Sequence, residues 1–245
     1  MYHELPPPAD LAAYLRCLWT ETTSDRAEQP LVSVLPDGCI DVVWVAGRSP
    51  VAVGPATRAQ RPKIPPGSAL VGARFAPGMA GAILGAPAHE LLDADVPLID
   101  LWGHGRVRTS GRFDGTGALE DGVAEVEALL RDRLEQQAGS GDELVCAAAA
   151  WLARRTDGHL DGLAELTGLG ERQLRRRFEA AIGYGPKTFQ RIMRFRRWLE
   201  LAESAPPTAR KLADLAAEAG YADQAHLTRE VTRLAGEPPS ALLRI

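Results

Sequence analysis

Four arginines lie within seven residues, Arg172 to Phe178, which read RQLRRRF. A guanidinium group stays charged at neutral pH and offers five N–H donors, which suit a phosphate, a carboxylate or the edge of guanine. Leu174 and Phe178 are four positions apart, the spacing of residues on one face of a helix. The stretch is therefore predicted to be a helix with one buried apolar face and one outward cationic face.

The arginines stand out because the chain as a whole is acidic. Its 245 residues carry a formal net charge of −4, with a pI of about 5.8. Residues 1–141 contain 12 Lys or Arg and 18 Asp or Glu, whereas residues 142–245 contain 16 and 14. Nine basic residues and a single acidic one, Glu179, fall between positions 172 and 197. A basic stripe of this density is typical of a surface that binds a polyanion, and the overall pI conceals it.

Other chemistry finds little support in the sequence. His3, His89 and His104 are far apart, so we expect no metal site and no cofactor. Cys39 is expected to be a buried, inert thiol. Asp37 and Asp41 could pair as carboxylates, although Asp37 in PDG is more simply a turn former. No GxSxG, HExxH or P-loop pattern occurs, so no catalytic residue is assigned.

The sequence also bears on location. Residues 1–10, MYHELPPPAD, lack the basic and then apolar pattern of a signal peptide. No apolar run approaches the length of about 20 residues that a membrane-spanning helix needs. We therefore expect a cytoplasmic protein that does not enter the membrane.

The first half is rich in Pro and Gly and reads as short strands separated by turns such as PDG and PPG. This pattern is typical of a small barrel or sandwich, with strands predicted at 17–23, 31–35, 40–45, 51–53 and 69–75. A helix is predicted at 118–137, and its apolar stripe is typical either of packing on its own domain or of a dimer contact. AGSG at 138–141 then breaks the helix, which predicts a domain boundary between residues 1–141 and 142–245.

The second half contains an internal repeat. LDGLAELTGLGERQL from Leu160 is similar to LADLAAEAGYADQAHL from Leu212, at an offset of 52 residues and, beyond the turn, 53. Gly168 and Gly220 occupy the place where the first helix of each copy ends and where a positive φ is expected. Two copies are too few for a solenoid, and the pattern predicts two helix–turn–helix units.

A helix predicted from Pro186 to Glu203 joins the two units, with proline at its favoured first position. About 18 residues give a rod of about 27 Å. Such a rod suits two recognition helices that enter successive major grooves, about 34 Å apart. The arginines of this helix are predicted either to face phosphates or to pair with Glu200 or Glu203. They lie at positions 191, 194, 196 and 197.

Residues 143–244 resemble the AraC/XylS family of bacterial transcription regulators. The resemblance rests on GYGP at 183–186, GEPP at 236–239 and the stretch 215–244, which follows the C-terminal signature of that family. Val231 and Gly170 depart from it, where Phe and Ser or Thr are usual. The resemblance implies base-reading positions at Arg172, Arg175, Arg176, Gln224, Ala225, Thr228 and Arg229. Lys187 and Arg191 are expected to contact phosphates.

VLPDGCIDVVW at 34–44, VGP at 53–55 and GARFAPGMAGAILGAPAHEL at 72–91 resemble a sensor-like domain that precedes this module. The resemblance implies a cupin-like β-barrel that binds a small effector. The predicted protein has a β-rich domain with a helical extension and an all-α doubled helix–turn–helix. It is expected to be a non-enzymatic, sequence-specific transcription regulator, whose partners are double-stranded DNA, a small-molecule effector, RNA polymerase and a second copy of itself. Two alternatives stay open, a non-catalytic protein-interaction adaptor and a cupin-type enzyme fused to a DNA-binding module.

Overall fold

The structure, a computed structural model, describes residues 1–24, 33–107, 113, 118–137, 139, 141–155, 160, 162–204 and 211–243. Its first half contains one antiparallel sheet of six strands in the order β1-β2-β5-β3-β4-β6. The strands are β1 Tyr2–Leu5, β2 Leu15–Thr22, β3 Asp41–Val45, β4 Val51–Val53, β5 Ala69–Phe75 and β6 Asp95–Pro97. The predicted β-rich first half is thus confirmed.

The described strands form an open sheet with β1 and β6 at its edges, so they do not by themselves close the expected barrel. Four of the five predicted strands are present, within two residues of their expected ends. In the fifth, residues 31 and 32 lie outside the described residues, and Val34 forms an isolated bridge with Gln60. Strand β1 was not predicted, because its four side chains are all exposed and give no alternating pattern.

Ten α-helices follow the strands or lie between them in the described chain. The first half holds α1 Ala80–Leu84, a 3-10 helix Ala88–Leu91, α2 Leu98–Trp102 and α3 Leu119–Gln136. The second half is all-helical, as predicted, with α4 Glu143–Arg154, α5 Leu163–Thr167, α6 Glu171–Ile182, α7 Pro186–Ser204, α8 Leu212–Glu218, α9 Gln224–Ala235 and α10 Pro239–Leu242.

Helix α3 packs its apolar stripe on the sheet of its own half. Val126 and Leu130 are fully buried against the same cluster as Val42 and Phe75 of the sheet. Of the two interpretations of this stripe, the structure shows packing within the domain, and the homodimer stays a prediction. The predicted boundary loop at 138–141 is described only at residues 139 and 141.

A buried charge network ties strand β3 to its neighbours. The Asp41 carboxylate accepts hydrogen bonds from the Trp19 indole at 3.0 Å and from two nitrogens of Arg74 at 3.0 and 3.1 Å. Burial raises the pKa of Asp41 to about 6, even though Arg74 opposes the shift. Asp37 accepts from the backbone N–H of Cys39, as a turn former does, and burial raises the pKa of the Cys39 thiol. The two carboxylates therefore serve the fold, and Cys39 is the buried thiol that the sequence predicts.

Candidate nucleic-acid interface

The two predicted helix–turn–helix units are present. Helices α5 and α6 form the first unit, and α8 and α9 form the second. The turns contain Gly168 and Gly220 with φ of +64° and +86°, which is the left-handed conformation expected of them. The second helix of each unit, α6 or α9, is called its recognition helix here.

Recognition helix α6 has the two faces expected from RQLRRRF. Leu174, Phe178 and Ile182 are buried, while the arginines at 172, 175 and 176 are exposed. Arg175 donates to Glu179 at 2.8 Å, an exposed pair one turn apart. The fourth arginine of the stretch serves another purpose, because Arg177 donates twice to Asp142, the N-cap of α4, at 2.7 Å. Only three of the four arginines thus belong to the outward face.

Recognition helix α9 presents a smaller cationic face. Asp223 caps its first turn by accepting from the backbone N–H of His226. Gln224, Ala225 and Arg229 are exposed, and the half-buried Thr228 donates its hydroxyl to the carbonyl of Gln224 at 2.9 Å. All the expected base-reading positions of this helix therefore lie on its outer side or at the edge of it.

The two copies differ in how tightly they pack. Ala216 is fully buried where α8 crosses its partner, but the equivalent Ala164 is exposed and the buried positions of α5 are Leu163 and Thr167. The N-cap of α6, Gly170, makes no side-chain cap hydrogen bond, whereas Asp223 does. The first unit therefore lacks one close helix contact and one cap that the second unit has.

Two arginines of the linker helix α7 pair with the same carboxylate of α9. Arg194 is buried, donates to both carboxylate oxygens of Glu230 at 3.1 and 3.2 Å, and stacks over the Tyr221 ring at 4.8 Å. It does not reach the surface to contact a phosphate, contrary to one of the roles expected of it. Arg191 also donates to Glu230, at 3.0 Å, and stays half-buried. Neither of them pairs with Glu200 or Glu203 in the described contacts; their partner comes from α9 instead.

Glu230 is the central residue that the sequence reasoning missed. Its side chain is 6% exposed and is held by two arginines of α7, 36 and 39 positions away. A buried carboxylate without partners is strongly disfavoured, so these pairs fix how α9 crosses α7. A lone acid in the middle of the basic TREVTR stretch was the one local signal.

A groove of about 510 Å³ runs between α7 and α9. Five of its eight lining side chains are Lys or Arg, and the buried Glu230 forms part of its wall; the lining residues are Lys187, Gln190, Arg191, Arg194, His226, Arg229, Glu230 and Arg233. The groove brings together Lys187, Arg191 and Arg229, which the sequence placed at the interface, and adds Arg233. Its charge suits a phosphate chain.

The described residues contain no group of three His, Cys, Asp or Glu side chains placed to hold a metal ion. In the same part of the chain, every helix is too short or too polar to cross a membrane.

Comparison with known families agrees with this geometry. Residues 163–245 match the model of a helix-turn-helix domain, and residues 3–97 match a domain of unknown function, DUF6597. The C-terminal region is an AraC-type helix–turn–helix domain. With this AraC-type domain, the chain is a DNA-binding transcription regulator. No curated protein sequence shows a significant match to the chain.

Among solved structures, the fold is similar to that of ToxT from Vibrio cholerae O395 bound to (E)-4-(8-methylnaphthalen-1-yl)but-3-enoic acid. The TM-score is 0.50 at 10% identity, and the match covers 92% of this chain and 98% of ToxT. A probable AraC family transcriptional regulator from Rhodopseudomonas palustris matches at 24% identity and a TM-score of 0.38, over 42% of this chain and 96% of its own. The ToxT likeness shows that the β-rich half followed by the AraC-type domain is a known two-domain fold.

Loss of the buried charge at position 230 should destabilise the AraC-type domain. In Glu230→Gln the buried Arg194 keeps its charge but loses its counter-ion, which is expected to cost about 3 kcal/mol of the free energy of unfolding. Chemical denaturation of the full chain measures this loss. Glu165→Gln, a change at an exposed position, should stay within about 0.5 kcal/mol of the wild type. A loss at position 230 no larger than this control would contradict the structural role.

A side-chain cap should strengthen the first recognition helix. A Cβ at Gly170 meets open space, and its φ of −68° suits any residue, so Gly170→Ser is expected to stabilise the chain by about 0.5 kcal/mol. Gly168→Ser is the matched control, since its Cβ also meets open space but its φ is +64°. That change should instead cost about 1 kcal/mol. Equal effects of the two serines on thermal unfolding would refute the capping argument.

Proposed function

We propose that this regulator reads double-stranded DNA with both recognition helices at once, one segment for each helix. The observation that carries the proposal is the pair of equivalent helices whose outward faces bear exposed arginines, joined by helix α7. The exposed arginines at 172 and 176 of α6 and at 229 of α9 belong to no ion pair among the described residues. Such unpaired donors are free to hydrogen-bond to guanine O6 and N7.

The proposed base-reading side chains are those that the resemblance implied. They are Arg172, Arg175 and Arg176 in the first unit and Gln224, Ala225, Thr228 and Arg229 in the second. Ala225 offers only apolar contact, for example to a thymine methyl group. Arg175 must exchange its pair with Glu179 for a contact to DNA, which costs little because that pair is exposed.

The groove between α7 and α9 is the proposed seat of the sugar–phosphate backbone. Lys187 is exposed at its rim, and Arg233 is exposed on the neighbouring turn of α9. Arg191 contributes charge from the wall while it holds Glu230. Phosphate contacts of this kind fix the position of the protein on the duplex, and the base contacts then specify the sequence.

The two domains on either side of the proposed boundary have different functions. Residues 142–245 bind DNA, and residues 1–141 form the regulatory domain. We place the protein in the cytoplasm, where the bacterial chromosome is. A contact with RNA polymerase and assembly into a homodimer belong to the same proposal.

Truncation of one arginine on each recognition helix should weaken specific binding. Arg176→Ala and Arg229→Ala are each expected to cost about 1–3 kcal/mol at the cognate site and to relax the base preference there, because each removes one bidentate base contact. The cognate site is obtained by selection from random duplexes with the wild-type chain, and affinities are measured by fluorescence anisotropy.

Arg48→Ala is the matched control, since Arg48 is equally exposed but lies in the regulatory domain. Salt separates DNA binding from the protein-adaptor alternative, because several phosphate contacts make affinity fall steeply with ionic strength. Lys187→Ala should reduce the slope of log affinity against log salt by about 1 without changing base preference. Unchanged affinity and base preference in both arginine variants would exclude these helices as the reading heads.

We further propose that the regulatory domain binds a small molecule and does not convert it. Support comes from the ToxT fold, seen with a bound aryl-butenoic acid. The described residues also bring together no metal-ligating cluster that would supply catalysis.

A panel of small carboxylic acids that includes the ToxT ligand tests this proposal. We expect at least one member to raise the melting temperature of the full chain, because a ligand that binds only the folded state stabilises it. Mass spectrometry should then recover that compound unchanged after prolonged incubation. Arg229→Ala should show the same thermal shift, since it alters only the DNA face. Steady formation of a product would overturn the non-enzymatic assignment.

A further inference from the structure

One loop of the regulatory domain touches both helix–turn–helix units at equivalent places. The loop comprises residues 54–61, GPATRAQR, and is called the strap. The equivalent places are the two corners that follow the recognition helices, Gly183–Tyr184 in the first unit and Gly236–Glu237 in the second. They are related by the 53-residue offset of the repeat, and both glycines have a positive φ, +103° and +76°.

The first corner is packed tightly against the strap. The Pro55 ring lies so close to Gly183 that a Cβ on this glycine would come within 2.4 Å of the proline Cγ. Tyr184 is buried beside it, with no hydrogen bond to its hydroxyl from the described residues. Burial, followed by the nearby charge of Asp37, raises the pKa of Tyr184. Residues of the first half, Pro55 and Ala88, therefore lie directly against this corner.

The second corner is held by hydrogen bonds. The backbone N–H of Ala59 donates to the carbonyl of Leu234, in the last turn of α9, at 2.6 Å. Arg61 pairs with Glu237 at 3.2 Å on the surface. Glu237 directly follows Gly236, the repeat equivalent of Gly183, so the strap meets neighbouring positions of the two units.

The strap is itself fixed to the sheet domain. Asp93 accepts from the backbone N–H and the hydroxyl of Thr57 at 2.7 and 2.6 Å and donates its own N–H to Pro55 at 3.1 Å. Gln60 exchanges two backbone hydrogen bonds with Val34, at 2.8 and 2.9 Å. Asp93 has a φ of +54°, a costly conformation for a residue with a side chain. The hydrogen bonds with Asp93 thus hold the middle of the strap, between its contacts with the two units.

The strap touches the C-terminal ends of the recognition helices, away from the proposed base-reading residues. The proposed base-reading residues lie in the first two turns of α6 and α9, and the corners follow the last turn. A helix of 12 residues is about 18 Å long, so the strap leaves the reading faces open. A contact at this end is able to set the direction of a recognition helix without competing with the duplex.

We propose that the strap is a specificity-determining element, because it braces both units at their corners and so sets, together with the core that the units share, the distance and rotation between the two recognition helices and hence the spacing of the two DNA segments that the protein accepts. The inference rests on the proposed function. Helix α7 alone joins the two units along the chain, and the strap adds a second connection between them. Pro55, Ala59 and Arg61 are the positioning residues, and none of them contacts DNA.

The test uses the full chain with Ala59→Pro/Arg61→Ala, which removes the backbone donor and the ion pair at the second corner. Without DNA, hydrogen exchange at residues 231–237 should become about threefold faster or more, while exchange in strand β5 stays unchanged. On the duplex selected by the wild type, one added base pair between the two segments shifts them by about 3.4 Å and about 35°. The wild type should lose about tenfold in affinity on this insertion, and the strap variant less than about threefold.

Arg58→Ala is the matched control, an exposed arginine of the same strap with no ion pair among the described residues, and it should behave as the wild type. Because proline at 59 endangers the fold of the loop, Arg61→Glu is measured beside it, together with the rescue pair Arg61→Glu/Glu237→Arg. If the reversed pair restores the loss of affinity that the wild type shows on the inserted base pair, the role proposed for the strap is supported. Wild-type discrimination in both the proline variant and Arg61→Glu would overturn it. A wild-type chain that selects no duplex would instead overturn the proposed function, so the two failures are distinct.

Discussion

Both helix–turn–helix units share one hydrophobic core, and helix α7 runs through it. Ile192, Phe195 and Trp198 are fully buried in a single cluster that also contains side chains of α4 and α6 on one side and of α8 and α9 on the other. To turn one unit against the other would expose these rings to water, at about 25 cal/mol for each Å² of apolar surface. The directions in which the cationic side chains point are therefore consequences of this packing, as are the places where the regulatory domain can hold the units.

The arginines of the helical half differ in how far they are exposed to water. Two arginines of the helical half that are withdrawn from water have a carboxylate beside them, because an unpaired buried charge is costly. Arg194 has Glu230 in this role, and Arg177 has Asp142. Arg172 and Arg176 stay in water, where a phosphate or a base edge is able to replace the solvent. The count of nine basic residues between positions 172 and 197 thus overstates the charge offered to a polyanion, because part of it is already neutralised by α4 and α9.

The sequence predicted what local rules decide. Helix α7 begins at Pro186 as expected, and its end at Ser204 lies one residue beyond the predicted Glu203. The repeat located both recognition helices and the side chains on their outer faces. It did not show that Glu230 would pair with α7, because that contact joins residues 36 positions apart and leaves no periodic signal. For the same reason the strand β1 was not predicted: pairing with β2 holds it in place, and all four of its side chains are exposed.

Two turns of the sheet domain, PDG at 36–38 and APG at 76–78, lie against the DNA-binding half. A Cβ at Gly38 would meet Met193 at 2.7 Å and Phe189 at 3.0 Å, and one at Gly78 would meet Cys146 at 2.8 Å. Both glycines also have a positive φ. The backbone conformation and the close contacts therefore both exclude a side chain at these two positions. The cavity that remains in this seam is only about 10 Å³. Because the backbone of the sheet domain at these glycines lies directly against side chains of α4 and α7, a movement of these loops acts on the helices through Met193, Phe189 and Cys146.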